Sequence, residues 1–198
     1  MARLGKLSLP ILAALTILDV AGAGWATPIQ WAANNHWYEA KYVPGGLDWP
    51  SAKAAAQALG GYLATATSDD ENGFIFSLIN DWKFWYNDPW NSMGPWLGGY
   101  YVGAPGTMNP NDWAWVTGEA FSYKNWSPGE PNYASETVIQ FFGGGWNNMQ
   151  PSWNNMGPDN ANPKGYVVEW NIVPLHGAAW LLGSSLVGLL GYRRCRRG

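Results

Sequence analysis

The sequence predicts an α+β domain, with two helices packed on short antiparallel strands and joined by long loops. Three observations lead there. Apolar residues recur at helical spacing only in two early stretches, Ala52 to Leu59 and Phe74 to Ile79. After residue 82 Gly, Pro, Asn and Trp dominate, and the strand candidates are short. The chain of 198 residues is 16% aromatic and 13% charged, with 15 Trp, 25 Gly and 14 Pro. Soluble domains are typically about 25% charged, and a bundle or coiled coil would need far more Glu, Lys and Arg. The apolar content is too high for a disordered chain.

The elements come in order along the chain. His36 to Val43 is aromatic and partly alternating, the pattern of a strand. Asp48 is placed to cap a first helix, with Pro50 early in it and Gly60-Gly61 closing it. Its Ala52, Ala55, Ala56 and Leu59 make a narrow face suited to close packing on a sheet. Tyr62 to Thr65 is a short strand candidate. Ser68 and Glu71 have capping-box spacing before a second helix that buries Phe74, Ile75, Leu78 and Ile79. The later strand candidates are Trp96 to Val102, Trp113 to Val116, Glu136 to Phe142 and Gly165 to Trp170. Long ordered loops between them call for an organiser such as a metal.

Charge narrows the function. Residues 27–170 carry five Lys against 13 Asp and Glu, and no Arg. Nucleic acid is excluded as a partner, because phosphates demand Lys and Arg. A cation or a neutral polar ligand suits this surface. The single cysteine, Cys195, rules out a disulfide scaffold or a Cys-based zinc site in the domain. Of two histidines, His36 stands alone at the domain start and His176 lies in the tail, so no motif for nucleophilic catalysis forms. Glu130 and Glu136 could pair for glycoside hydrolysis, but no second motif supports it. The expectation is a binding protein, not an enzyme.

The two ends read as addresses. Residues 1–26 have Arg3 and Lys6, then an apolar run, then small residues, as in a secretory signal peptide, and cleavage after Ala23 or Ala26 fits. Asp19 is an unusual guest there. Residues 173–198 hold a second apolar segment, Leu175 to Tyr192, followed by Arg193, Arg194, Arg196 and Arg197. At 1.5 Å per residue it would reach ~27 Å, enough to cross a bilayer with the basic cluster on the cytoplasmic side. Val173-Pro174-Leu175-His176, the apolar span and the Arg run resemble a PEP-CTERM sorting signal, with His176 in place of the second Pro. That resemblance implies export in a Gram-negative bacterium, membrane anchoring, and processing by an exosortase-type enzyme. The globular unit would occupy residues 27–172.

Four motifs stand in order: Trp96-Leu97-Gly98-Gly99, Trp113-Ala114-Trp115-Val116-Thr117-Gly118, Asn125-Trp126-Ser127-Pro128-Gly129-Glu130-Pro131-Asn132, and Gly165-Tyr166-Val167-Val168-Glu169. Over residues 36–170 the series resembles the C-type lectin-like domain. The chemistry of Glu130-Pro131-Asn132 agrees. Calcium takes six to eight oxygens, and Glu130 and Asn132 offer a carboxylate and an amide oxygen. A carboxylate accepts from a sugar hydroxyl and an Asn amide donates to one, so the pair can read a vicinal diol. A cis Glu130–Pro131 bond, as in the family, would turn both side chains to one ion.

The resemblance implies a calcium-dependent lectin of the mannose, glucose or fucose type, acting on carbohydrate or extracellular polysaccharide. Its implied metal ligands are Glu130, Asn132, Glu136, Asn154 and Asn155. Its implied carbohydrate contacts are Glu130, Asn132, Glu136 and Asn154, and Tyr133, next to the motif, is a candidate for stacking on a sugar. Trp146-Asn147-Asn148 competes with Trp153-Asn154-Asn155 for the family's Trp-Asn-Asp motif. The second is favoured by its shorter loop distance to Gly165. Both carry Asn where the family has Asp, which predicts weak calcium affinity, in the ~10⁻⁴–10⁻³ M range. Asp159 is a candidate to compensate. Val138 stands where a half-cystine is expected, so the fold must rest on its aromatic core. Trp126 and Trp153 are assigned to that core, Glu119 and Asp112 to solvated turns, and Glu169 to structure. The alternative function is calcium-independent adhesion or matrix building on the same fold.

Overall fold

The computed structural model describes residues 27–172. The expected signal segment, the apolar anchor and the PEP-CTERM-like tail lie outside the described residues. Among the described residues no helix is long and apolar enough to cross a membrane.

Nine strands and two α-helices make up the domain among these residues. They are β1 (Ile29–Gln30), β2 (Trp37–Tyr42), α1 (Trp49–Ala58), β3 (Tyr62–Leu63), α2 (Asp69–Ile79), β4 (Tyr86–Asn87), β5 (Asn91–Tyr101), β6 (Trp113–Trp115), β7 (Val138–Gly144), β8 (Trp153–Met156) and β9 (Gly165–Trp170). They form one mixed sheet ordered β1-β2-β9-β5-β7-β8, with β3 on β9 and both β4 and β6 on β5. Antiparallel β2–β9 pairing runs from Trp37 opposite Trp170 to Tyr42 opposite Gly165, which brings the two ends of the domain together. β5 and β9 meet in parallel at Trp96 and Tyr166, the departure from an all-antiparallel arrangement.

The helices form for the reasons their sequences state. The Asp48 carboxylate accepts from Ser51 N at 2.8 Å and caps α1. Past its end Gly60 takes φ +75°, a conformation that favours glycine. Ala52 and Ala56 are wholly buried against the sheet. Trp49 Nε1 donates to Leu97 O at 2.8 Å and Trp170 Nε1 to Leu59 O at 3.0 Å, which pins both ends of α1 to the sheet. Ser68 Oγ caps α2 by accepting from Glu71 N at 3.2 Å. Glu71 does not close the expected capping box on Ser68. Its carboxylate instead accepts from Thr67 N and Oγ1, Asn34 Nδ2 and Tyr38 OH, at 2.6–2.8 Å. Ile75 and Ile79 are buried, and Phe74 and Leu78 only half-buried.

Side chains alternate across the sheet, and two cores result. On one face Leu97, Ile139, Phe141 and Val167 pack with α2 and the Trp-rich loops. On the other Trp96, Val138, Val168 and Trp170 pack with α1. Both faces are covered, so β9 is buried along its whole length. Gly98 explains the Trp96-Leu97-Gly98-Gly99 motif: a Cβ there would lie 2.5 Å from Leu63 O. Glu169 is buried on β9 and accepts from Thr65 N at 2.9 Å and from the hydroxyls of Tyr38 and Tyr62 at 3.1 Å. His36 Nδ1 lies 2.6 Å away. Burial raises the Glu169 carboxyl above its ordinary range.

Some boundaries differ from those the sequence predicts. β5 begins five residues earlier than Trp96, and β7 is shifted two residues along from Glu136–Phe142. The sequence predicts no strand at β8, because Asn154 and Asn155 are poor strand formers. Pairing with β7 overrides that preference.

Without a disulfide, Trp153 knits the core. It is 0% exposed, and its ring meets those of Trp115, Tyr123, Trp126 and Phe121 at centroid distances of 5.5–6.3 Å. Its Nε1 donates to Asn72 Oδ1 at 2.8 Å. Trp153→Ala is expected to cost about 3–5 kcal/mol in urea unfolding. Trp146→Ala, at an exposed position, should stay within ~0.5 kcal/mol; equal losses would refute this hierarchy.

Candidate functional site

The segment between β6 and β7 enters from the aromatic core. Ser127 N donates to Trp153 O at 2.7 Å and Trp153 N to Asn125 O at 2.8 Å, so Trp126 is held against the start of β8. The chain then turns: Glu130 N donates to Ser127 O, and Gly129 takes φ +90°. The Glu130–Pro131 bond is cis.

Asn155 clasps the next stretch of this loop. It is wholly buried on β8, and its Oδ1 accepts from Asn132 N at 2.9 Å. Its Nδ2 donates to the carbonyls of Tyr133 and Glu136, each at 2.9 Å. One side chain thus fixes both ends of the loop 132–136. The sequence resemblance names Asn155 as a metal ligand; here its amide also holds the loop, and its Oδ1, which accepts one bond, has a second lone pair. The position needs a donor as well as an acceptor, which Asp does not supply when ionised.

The other expected ligands show one pairing and two gaps. Asn132 Nδ2 donates to Glu130 Oε1 at 2.9 Å. The second oxygen, Glu130 Oε2, is buried without a hydrogen-bond partner, and so is Asn154 Oδ1. Such orphans are rare and costly in a folded protein unless an ion or water meets them. Burial, and after it the charge of Glu136, pushes the Glu130 carboxyl up to about 7. Burial also raises Glu136. Neither carboxylate has an ion-pair partner among the described residues. Tyr133, in the clasped loop, is 65% exposed.

The donor set fits a hard cation in kind: two carboxylates and amide oxygens, one oxygen of each kind buried without a partner. It is poor in charge. Among the described residues no group of three or more His, Cys, Asp or Glu side chains is arranged to hold a metal ion. Asp159 sits in the turn after β8, where Asn160 N donates to Gly157 O, and no contact ties it to Glu130 or Glu136.

The competing Trp146-Asn147-Asn148 stretch is elsewhere. It comes after the end of β7, whereas Glu130 and Glu136 precede its start. A residue that sequence reasoning missed is Gln140. It lies opposite Asn154 in the β7–β8 register, fully buried, with neither amide atom bonded. The signal was present as one Gln inside the apolar run Val138-Ile139-Gln140-Phe141-Phe142.

This architecture is the C-type lectin-like fold. The cow C-type carbohydrate-recognition domain of CD23, solved in the presence of GlcNAc2Man3 oligosaccharide, superposes with a TM-score of 0.50 at 22% identity, over 68% of this chain and 87% of that one. A calcium-independent type II antifreeze protein superposes with a TM-score of 0.51 at 19% identity, over 76% and 94%. No protein-family model matches the sequence. A perlucin-like protein of Mytilus galloprovincialis is 30% identical over 171 residues, covering 83% of this chain and 99% of that protein. Ladderlectin of Oncorhynchus mykiss is 27% identical over 133 residues, 66% of this chain and 62% of its own length. The chain belongs to the C-type lectin-like domain family. The relatives correct one expectation: they are animal proteins, which overturns the placement at a Gram-negative cell surface.

The site makes stability depend on pH. The unfolded carboxyl ordinarily titrates near 4.5 and folded Glu130 near 7, so the folded state binds the extra proton between those values. Ion-free stability should therefore fall as pH rises from about 4.5 through 7. In EDTA, melting curves should show this slope, and Glu130→Gln should flatten it. Asn155→Asp should lower the ion-free melting temperature, by losing two donated bonds and adding a third carboxylate near the loop. An unchanged melting temperature would remove the clasp.

Proposed function

We propose that residues 27–172 are a calcium-dependent carbohydrate-binding domain. The observation that carries this reading is the pair of buried, unpartnered oxygens, Glu130 Oε2 and Asn154 Oδ1, together with two carboxyls whose pKa values are raised. A divalent cation would satisfy both oxygens and hold both carboxyls ionised. Glu130, Asn132, Glu136 and Asn154 would hold it, while Asn155 holds the loop. Bound calcium supplies a Lewis-acid contact for two vicinal hydroxyls. Glu130 and Glu136 would accept hydrogen bonds from those hydroxyls, and Asn132 would donate one. Tyr133 would meet the ring's apolar face. By the family resemblance, the Glu130-Pro131-Asn132 motif supports mannose-, glucose- or fucose-type sugars. The named relative ladderlectin and the CD23 carbohydrate-recognition domain, solved in the presence of an oligosaccharide, support a lectin activity.

A second reading is calcium-independent adhesion or matrix building. The Asn155 clasp favours it, because the loop is tied down by protein groups alone. Calorimetric titration of the protein with calcium, then with mannose, separates the two. The first reading expects calcium uptake at ~10⁻⁴–10⁻³ M, abolished by Glu130→Gln, and calcium-dependent sugar heat. No uptake at ~10 mM, well above that range, would sink it and leave the second.

A further inference from the structure

The far end of β7 carries a feature that the loop site does not use. Trp90 and Trp146 are 76% and 67% exposed, whereas most other tryptophans among the described residues are buried. They sit on adjacent loops: Asn91 pairs with Gly144, and Gly145 N donates to Trp90 O at 2.9 Å. Between the loops opens a groove of about 500 Å³ lined by Asn87, Asp88, Pro89 and Trp146. The groove is shallow and open, an aromatic wall beside a few polar groups, so it suits contact with one face of a ligand and not its enclosure.

The groove is rigidly built. Asp88 Oδ1 accepts from the amides of Trp90 and Asn91, both at 2.7 Å. Ser92 Oγ donates to Asn87 Oδ1 at 2.6 Å and accepts from Asn148 N at 2.9 Å, so it joins the two loops. Asn148 Nδ2 closes the second loop on Gly144 O at 2.9 Å. Gly143 has no room for a side chain, because a Cβ would meet Asn148 O at 1.5 Å. These bonds leave the Asn87 amide protons and the second Asp88 oxygen to solvent or a ligand. Loops this constrained lose little entropy on binding.

The chemistry selects the occupant. Asp88 repels phosphates, and a domain with no Arg and five Lys against 13 acidic residues is poorly matched to an anionic polymer or an anionic lipid surface. A neutral ring with one apolar C–H face and several hydroxyls matches an indole wall beside a carboxylate and an amide. We propose that Trp146, Trp90, Asn87 and Asp88 form a second, calcium-independent binding surface for neutral saccharide units. β7 spans seven residues between the two regions, ~20 Å at about 3.3 Å per residue. One domain could then hold two points of a polysaccharide, or two chains, without oligomerising.

The test is retention of the full-length protein on insoluble glucan and chitin in EDTA, at two ionic strengths. The expected result is salt-insensitive retention, weakened about tenfold or more by Trp146→Ala, as for a hot-spot aromatic. Trp146→Phe should keep most of it, and Glu130→Gln should leave it unchanged. That insensitivity separates this surface from the calcium site: failure of either leaves the other standing. No retention on either polymer in EDTA would overturn the proposal. So would retention indifferent to both Trp146→Ala and Trp90→Ala. A change in oligomeric state with Trp146→Ala and no change in retention would overturn it too, and assign the groove to a second copy of this chain.

Discussion

The core on the α2 face of the sheet, and the loop site beside it, are organised around the side chain of Trp153. It lies where the aromatic core, α2 and β8 converge. Its ring meets four others, its Nε1 holds Asn72 of α2, and its backbone bonds both Asn125 and Ser127. The next two residues along β8 are Asn154 and Asn155, on alternate sides of the strand. A large buried aromatic therefore sets the position of the amides beside it. Each such ring buries ~150–250 Å², and a cluster of them stands in for the missing cross-links.

A second constraint is electrostatic. Glu71 and Glu169 are buried in the core, yet a web of donors from Asn34, Tyr38, Tyr62, Thr65 and Thr67 meets them. Glu130 and Glu136 are less buried but poorly served, and one oxygen of Glu130 has no partner. The contrast sets these structural carboxylates apart from those of the proposed site. Core carboxylates are satisfied because leaving them bare costs stability on every folding event. A loop carboxylate left unsatisfied is tolerable where something else completes it.

The two ends of β7 divide the labour differently. Before its start, polar groups converge around a loop tied down by a buried amide. Past its end, exposed indoles stand on loops locked by Ser92 and Asp88. Both rely on the same device: irregular segments made rigid by local hydrogen bonds, mounted on strands buried on both faces. That rigidity is what allows loops without regular structure to present a fixed surface.

Much of the fold was legible in the residues themselves. Both helices announce themselves through a cap and an apolar stripe, because these are local effects of hydrogen bonding and spacing. The family could be recognised from ordered motifs, since Gly98 and the tryptophans answer to packing needs that tolerate few substitutes. The Glu130-Pro131-Asn132 segment was visible as oxygen donors around a proline. The features that tertiary structure alone decided depend on distant partners. β8 exists only because β7 pairs with it. Asn155 clasps the loop because three loop groups reach it from 19 to 23 residues away. Glu71 turns from a helix cap to a core bridge because Tyr38 lies within 2.6 Å. Trp146 and Trp153, each opening a Trp-Asn-Asn-Met run, are alike in sequence. The core buries one and leaves the other in solvent, since only Trp153 falls where the helix and the sheet meet.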